Sequence, residues 1–336
     1  MGCFYSKNLR EKKTNSTDSP NKKIDFRYDD GRRFHCVDDA IYYLPNDEDE
    51  QDRLHLQHFL IRYIFQSNFS APIKHLLEKP GTKILDIGLF NYGLLYFGKI
   101  KKTQFLRIII NSINIYLVIL DVAQDRGHLI LRPRKYPNVE VIGLDISSHQ
   151  PEYIKPKNFS FVKANVFEGI PFEDNTFDFV FQRFLVFGYP EDKWPHVINE
   201  LVRVLKPGGF IELCEPSLVR DTGPTTQFLW DAELDIVKQK GIDPETYQMI
   251  EKYLQNQGQL ENIMKEVKEC YHGAKSENPK LSKAITNLIS LYESLKPSLV
   301  KHLQISDEEF DKLIKTSEKE LFDFDTYYYL VRVYAS

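Results

Sequence analysis

Four short apolar runs, separated by turn chemistry and by stretches of helical periodicity, constrain this chain most. The first is Lys83-Ile84-Leu85-Asp86-Ile87, closed by Gly88. The others are Val139–Asp145, Phe177–Phe181 and Gly209–Leu213. Each is as short as a strand and lacks the polar alternation of a half-exposed one, so each reads as a strand buried on both faces. Helical segments lie between them, including Pro195–Val204 just before the turn Lys206-Pro207-Gly208-Gly209. Strands alternating with helices predict an open, doubly wound, mostly parallel α/β sheet.

Upstream, Leu56, Phe59, Leu60, Tyr63 and Ile64 recur at helical spacing. Pro45 and an Asn46 cap followed by early carboxylates supply the start of that helix. A second short helix is expected near Pro72–Leu77, ended by Lys79-Pro80-Gly81. Residues 228–262 and 280–320 are mainly helical by period. Thr326–Val333 is β-prone, without Pro or Gly, and suits a late strand paired with one near Ile263–Tyr271.

Composition narrows the function. A formal charge of −4 over 336 residues gives no global basic field to recruit nucleic acid. The four cysteines, Cys3, Cys36, Cys214 and Cys270, form no CxxC pair, which disfavours a disulfide framework or zinc ribbon and favours a reducing, cytoplasmic setting, with the nucleus also open. The nine histidines show no HxxxH spacing and no pattern suited to a metal or a hydrolase. The most apolar stretch, Phe105 to Leu120, carries Arg107, Asn111, Ser112 and Asn114 and is too short and polar to span a bilayer.

Residues 1–38 are polar and are expected to form a disordered tail, because so little apolar surface cannot offset the entropy of ordering. The opening Met1-Gly2-Cys3-Phe4-Tyr5-Ser6 fits the N-myristoylation pattern at Gly2, with Cys3 as a second acylation point. With Lys7, Arg10, Lys12, Lys13, Lys22 and Lys23 nearby, peripheral membrane contact is an expectation; a solvated tail whose Met-Gly start is chance is the alternative.

In doubly wound sheets a cofactor lies across the carboxyl ends of the strands. Glycine fills the first turn, and an acidic residue about 20 positions on, at the end of the second strand, takes ribose hydroxyls. Here Asp86-Ile87-Gly88 ends the first strand and Gly143-Leu144-Asp145 the second, yet Gly88 and Asp145 stand 57 positions apart. Leu89, Phe90, Asn91 and Tyr92 occupy the place of a Gly-x-Gly-x-Gly run. The excess maps onto residues 89–126, rich in Ile, Asn, Tyr, Phe and Lys and basic through Lys99, Lys101, Lys102, Arg107 and Arg126. Such A/T-rich-codon residues favour a retained intron or gene-model error, with a genuine inserted hairpin or helix as the alternative.

Beyond these runs, further segments fall in a specific order. They are Tyr43-Leu44-Pro45-Asn46-Asp47 through Asp52-Arg53-Leu54, Lys83–Gly88, Val141–Ser147, Ala164-Asn165-Val166, Ile170-Pro171-Phe172-Glu173-Asp174-Asn175-Thr176-Phe177-Asp178 and Glu200–Gly209. With this order over most of residues 41–216, the chain resembles the class I S-adenosylmethionine-dependent methyltransferases, and is similar to their fungal members related to regulators of secondary metabolism. The resemblance implies a seven-stranded, Rossmann-like sheet with an N-terminal capping helix and a helical insertion before the last strands. One domain would cover 39–336, with a cofactor-binding half at 80–216 and a helical, substrate-side region with the final strands at 217–336. It also implies S-adenosylmethionine as cofactor. Asp86 and Gly88 would lie by its methionine and ribose, Asp145 would take the ribose hydroxyls, and Ile146 would pack on the adenine. Asn165 and Val166 would flank that ring, while Gln182 and Arg183 would face the methionine end.

Each residue also has a plainer role. Asp86 would cap a helix, Asn165 would satisfy a loop, and Phe177, Phe179, Phe181 and Phe184 would be core. Glu212 and Glu215 would be solvated acids or, less simply, touch substrate. Methyl transfer is an in-line displacement at a sulfonium, so the protein chiefly positions the reactants and excludes water. No catalytic pair is then required. The acceptor, a small molecule by preference or else a protein, would enter between the N-terminal helix and residues 217–325. The rival expectation is a catalytically impaired interaction protein, its cofactor turn interrupted after Gly88.

Overall fold

The structure is a computed structural model that describes residues 26–29, 31–35, 44–88, 136, 138–146, 158–273 and 283–336. Gly2, Cys3 and the segment 89–126 lie outside the described residues. Seven strands form one sheet, in the spatial order β5-β4-β3-β6-β7-β9-β8. They are β3 (Lys83–Ile87), β4 (Glu140–Asp145), β5 (Phe159–Lys163), β6 (Phe177–Arg183), β7 (Leu205–Pro216), β8 (Met264–Tyr271) and β9 (Tyr327–Ala335). The first five in that order are parallel, and β9 runs antiparallel between β7 and β8. The predicted doubly wound, mostly parallel sheet is therefore the one observed, and the late strand does pair with the one at Met264–Tyr271.

Apolar side chains of alternating position cover both faces. Leu85, Ile87, Ile142, Leu144, Val180, Ile211 and Leu213 face one core with α3 (Trp194–Arg203), while Ile84, Val141, Phe179 and Phe181 face another with α2 (Lys74–Leu77). A third core joins α4 (Pro224–Lys238), α6 (Lys283–Leu303) and α7 (Asp307–Asp323). A short α5 (Ile250–Gln257) packs beside α3. None of the described helices is long and apolar enough to cross a membrane.

Three expectations are corrected in detail. Within the expected tail, β1 (Phe26–Asp29) and β2 (Arg32–His35) form an antiparallel hairpin. It is held by Arg27 over the Phe34 ring at 4.7 Å and Arg33 over Phe26 at 5.2 Å, cation–π contacts that offset its low aliphatic content. The helix α1 (Glu48–Phe65) starts one residue later than the Asn46 cap implied. Asp47 is the cap, accepting from the Glu50 N–H at 3.2 Å, while buried Asn46 instead accepts from Arg33 Nε at 3.0 Å. Residues 205–209 begin β7, and the expected turn appears as an irregularity within it: Leu205 lies opposite Phe177 and Phe210 opposite Phe179, so the pairing with β6 skips 206–209.

The strand order reverses at β3: the chain builds outward through β4 and β5, then returns to place β6 on the other side of β3. In open α/β sheets the crevice at the carboxyl ends beside such a reversal is where ligands bind.

Candidate functional site

Register brings the predicted residues into one row. Ile87 lies opposite Leu144 on β4 and Gln182 on β6, and Asp145 lies opposite Lys163 on β5. The strands thus finish side by side at Gly88, Ile146, Asn165 and Arg183. Two backbone bonds stitch the ends: Gly88 N–H donates to Leu144 O at 3.0 Å, and Ala164 N–H donates to Asp145 O at 2.9 Å.

Within this row the side chains differ in what they offer. Asp145 and Ile146 are half-buried at the open edge. Asp86 is buried on the α1 side of the sheet, where desolvation raises its carboxyl to about 6 against the opposing pull of the Arg183 charge. That guanidinium lies 2.8 Å from His58 Nδ1 on α1. Asn165 performs the plainer of its two roles: its Oδ1 accepts from the Phe167 N–H at 3.1 Å and caps the short turn Val166–Glu168. Val166 is core. Gln182 is fully buried, its Oε1 accepting from the Tyr189 hydroxyl at 3.3 Å and its amide donating to the Glu215 carboxylate.

Glu212 and Glu215 are not solvated; both are fully buried on β7. Glu212 Oε2 accepts from the backbone N–H groups of Ser70 and Ala71, each at 2.7 Å, and desolvation pushes the group up to about 7. Glu215 Oε2 accepts from the Val186 N–H at 3.0 Å, and desolvation pushes it up to about 8. Glu215 therefore shapes the turn after β6, where Phe184 sits in the left-handed region at φ 56°. The sequence signal for both was weak, because their partners lie far away in the chain or on backbone.

Beside this turn opens a cleft. Its apolar wall includes Leu54 of α1, Phe184 and Phe187 after β6, Trp230 of α4, Leu288 of α6 and Tyr328 of β9; Arg53, Glu233 and His272 are the ionisable groups lining it. Arg53 forms a buried ion pair with Glu50, which also accepts from Ser294 Oγ at 2.9 Å, so one polar knot fastens α1 to α6 across the cleft. The cleft lies where the acceptor was expected, between the N-terminal helix and the helical region.

Residues 119–209 match a family model described as a methyltransferase domain. The N-methyltransferase verN of Clonostachys rogersoniana is 35% identical over 103 residues, covering 29% of this chain and 36% of that protein. The methyltransferase pytC of Aspergillus terreus is 30% identical over 191 residues, covering 56% of this chain and 46% of that one. The N-methyltransferase gliN of Aspergillus fumigatus is 22% identical over 291 residues, covering 83% of this chain and 90% of its own length. The chain thus spans less than half the length of the first two. All three names are those of methyltransferases, which does not favour the impaired interaction protein. None concerns regulation, so the expected kinship with regulators draws no support from them.

Proposed function

We propose that this chain, which belongs to the class I S-adenosylmethionine-dependent methyltransferases, transfers the methyl group of that cofactor to a small molecule seated in the cleft. The observation that carries this is the meeting of the two features: the row of strand ends at the reversal beside β3 continues, through Phe184–Gly188, into the wall of the cleft. A recessed cleft with a mainly apolar wall and a few polar groups fits a small-molecule site better than a protein surface.

The described residues fit the cofactor. The half-buried Asp145 carboxylate stands at the end of the second strand, where hydroxyls of a ribose would be taken. Gly88 and Asp86 would support the methionine and ribose side, Ile146 and Val166 the adenine side, with the Asn165 amide between them. When bound, S-adenosylmethionine supplies a methyl group already activated by a sulfonium.

The protein's own work is then to align and to dehydrate. Glu215 fixes the turn that carries Phe184 to Val186, and so fixes the boundary between the cofactor row and the cleft. The Glu50–Arg53 pair with Ser294 holds α1 against α6, with Arg53 lining the cleft. Positioning of this kind converts a bimolecular displacement into an effectively unimolecular one.

The test is incubation of the full chain with tritium-labelled S-adenosylmethionine and a panel of uncharged aromatic amines and phenols. Label should pass into the small-molecule fraction. Label found only in protein would overturn the small-molecule acceptor, and label transferred to neither would overturn the activity.

A further inference from the structure

His272 has no place in the row of strand ends, yet its position and hydrogen bonding are those of a ligand contact. It directly follows β8, which runs parallel to β7 because both are antiparallel to β9. The imidazole therefore emerges at the same sheet edge as Gly88 and Gln182. It is 2% exposed, lies tilted against the Tyr328 ring at 5.4 Å, and lines the cleft.

The Thr326 carbonyl accepts from the His272 backbone N–H at 2.8 Å. On the ring, Nδ1 has no hydrogen-bond partner among the described residues, and a neutral imidazole has one acceptor nitrogen. Burial lowers the imidazole to about 4, so it is neutral at physiological pH. A buried acceptor without a donor is rare in native structures and costly to leave so.

The sheet order sets the distance. Three strand steps separate β6 from β8, and at about 4.8 Å per step His272 stands about 14 Å from the strand ends that face the cofactor. That is too far for it to touch the reacting atoms. The wall between is apolar, through Phe184, Trp230 and Leu288.

Resting on the methyltransferase function proposed above, we infer that His272 is a specificity-determining residue. Its Nδ1 accepts a hydrogen bond from an N–H or O–H at the far end of an elongated, uncharged, apolar acceptor. The opposite end of that acceptor presents the nucleophile beside Gly88 and Gln182. The acceptor class is thus an aromatic molecule of two or three rings carrying a donor remote from the methylated atom.

The experiment titrates 4-phenylphenol, and separately its methyl ether 4-methoxybiphenyl, into the full chain and into His272→Phe, following binding by calorimetry. The wild-type chain should bind the phenol about tenfold more tightly than the ether, the effect of one buried neutral hydrogen bond. In His272→Phe that ratio should fall to about one while the ether binds as before. Equal binding of the two probes by the wild-type chain, binding of neither, or an unchanged ratio in the variant would overturn the inference. The wild-type comparison needs no substitution, so misfolding of the variant leaves it decisive. S-adenosylmethionine is titrated in parallel. If it fails to bind while the phenol is still discriminated, the methyltransferase function falls and the His272 contact stands.

Discussion

Gly88 faces Leu185 so closely that a Cβ on the glycine would lie 2.8 Å from Leu185 Cδ1. This contact joins the end of β3 to the turn after β6, the two segments that flank the reversal of strand order. Gly88 also holds φ at 71°, in the left-handed region.

Gly88→Ala therefore meets two penalties. The backbone alone costs about 1–2 kcal/mol, and Leu185 must also yield. Urea unfolding should show a loss of at least that size. A double-mutant cycle with Leu185→Ala should recover part of it, because the shorter side chain removes the clash but not the backbone strain.

Stability should fall as pH rises from mildly acidic to mildly alkaline. Desolvation raises Asp86 to about 6, Glu212 to about 7 and Glu215 to about 8. The unfolded chain ionises these groups near 4, so across the intervening window the folded state holds more protons than the unfolded one. Each such group then lowers stability by about 1.4 kcal/mol per pH unit as pH rises through the window, and the contribution is complete only below it. Asp47 and Glu320 titrate lower than usual and act beneath this range, while His272, lowered to about 4, opposes the decline below about pH 6.5 but is one group against three. Melting temperature measured from pH 5 to pH 8 should decline, and Glu215→Gln should flatten the curve while keeping an acceptor for the Val186 N–H. An unchanged slope would remove Glu215 as its source.

The helix α4 has no cap of its own. It begins at Gly223 and Pro224 without a side-chain N-cap bond, and Glu320 of α7 supplies the acceptor instead. Glu320 Oε2 accepts from the Thr226 N–H at 2.7 Å and Oε1 from the Thr225 N–H at 3.0 Å. Glu320→Ala leaves these donors buried and should cost about 1–3 kcal/mol in denaturant unfolding. Glu320→Gln should cost less, since an amide oxygen still accepts. Because α4 carries Trp230 into the cleft, binding of 4-phenylphenol should weaken alongside stability in the alanine variant.

The sheet was legible where a strand is apolar on both faces and closed by a marker, as at Lys83–Gly88 and Val139–Asp145. Phe159–Lys163 was not singled out: its pattern Phe-Ser-Phe-Val-Lys is half-exposed, and edge position rather than composition makes it a strand. The hairpin at Phe26–His35 escaped because cation–π pairs across strands, not aliphatic burial, hold it. Asp145, Gln182 and their neighbours could be aligned because parallel strands of similar length end together. The burial of Glu212 could not, since it depends on backbone N–H groups of Ser70 and Ala71, about 140 positions away. His272 carried no spacing signal at all; only the sheet order that brings β8 to the carboxyl edge gives it a role.

The central claim is that the row of strand ends holds S-adenosylmethionine. Calorimetric titration of that cofactor into the purified 336-residue chain tests it most directly. We expect one site of micromolar affinity, lost in Asp145→Ala, in a variant whose unfolding transition is unchanged. Absence of binding heat at several temperatures, or full affinity retained by Asp145→Ala, would contradict the account.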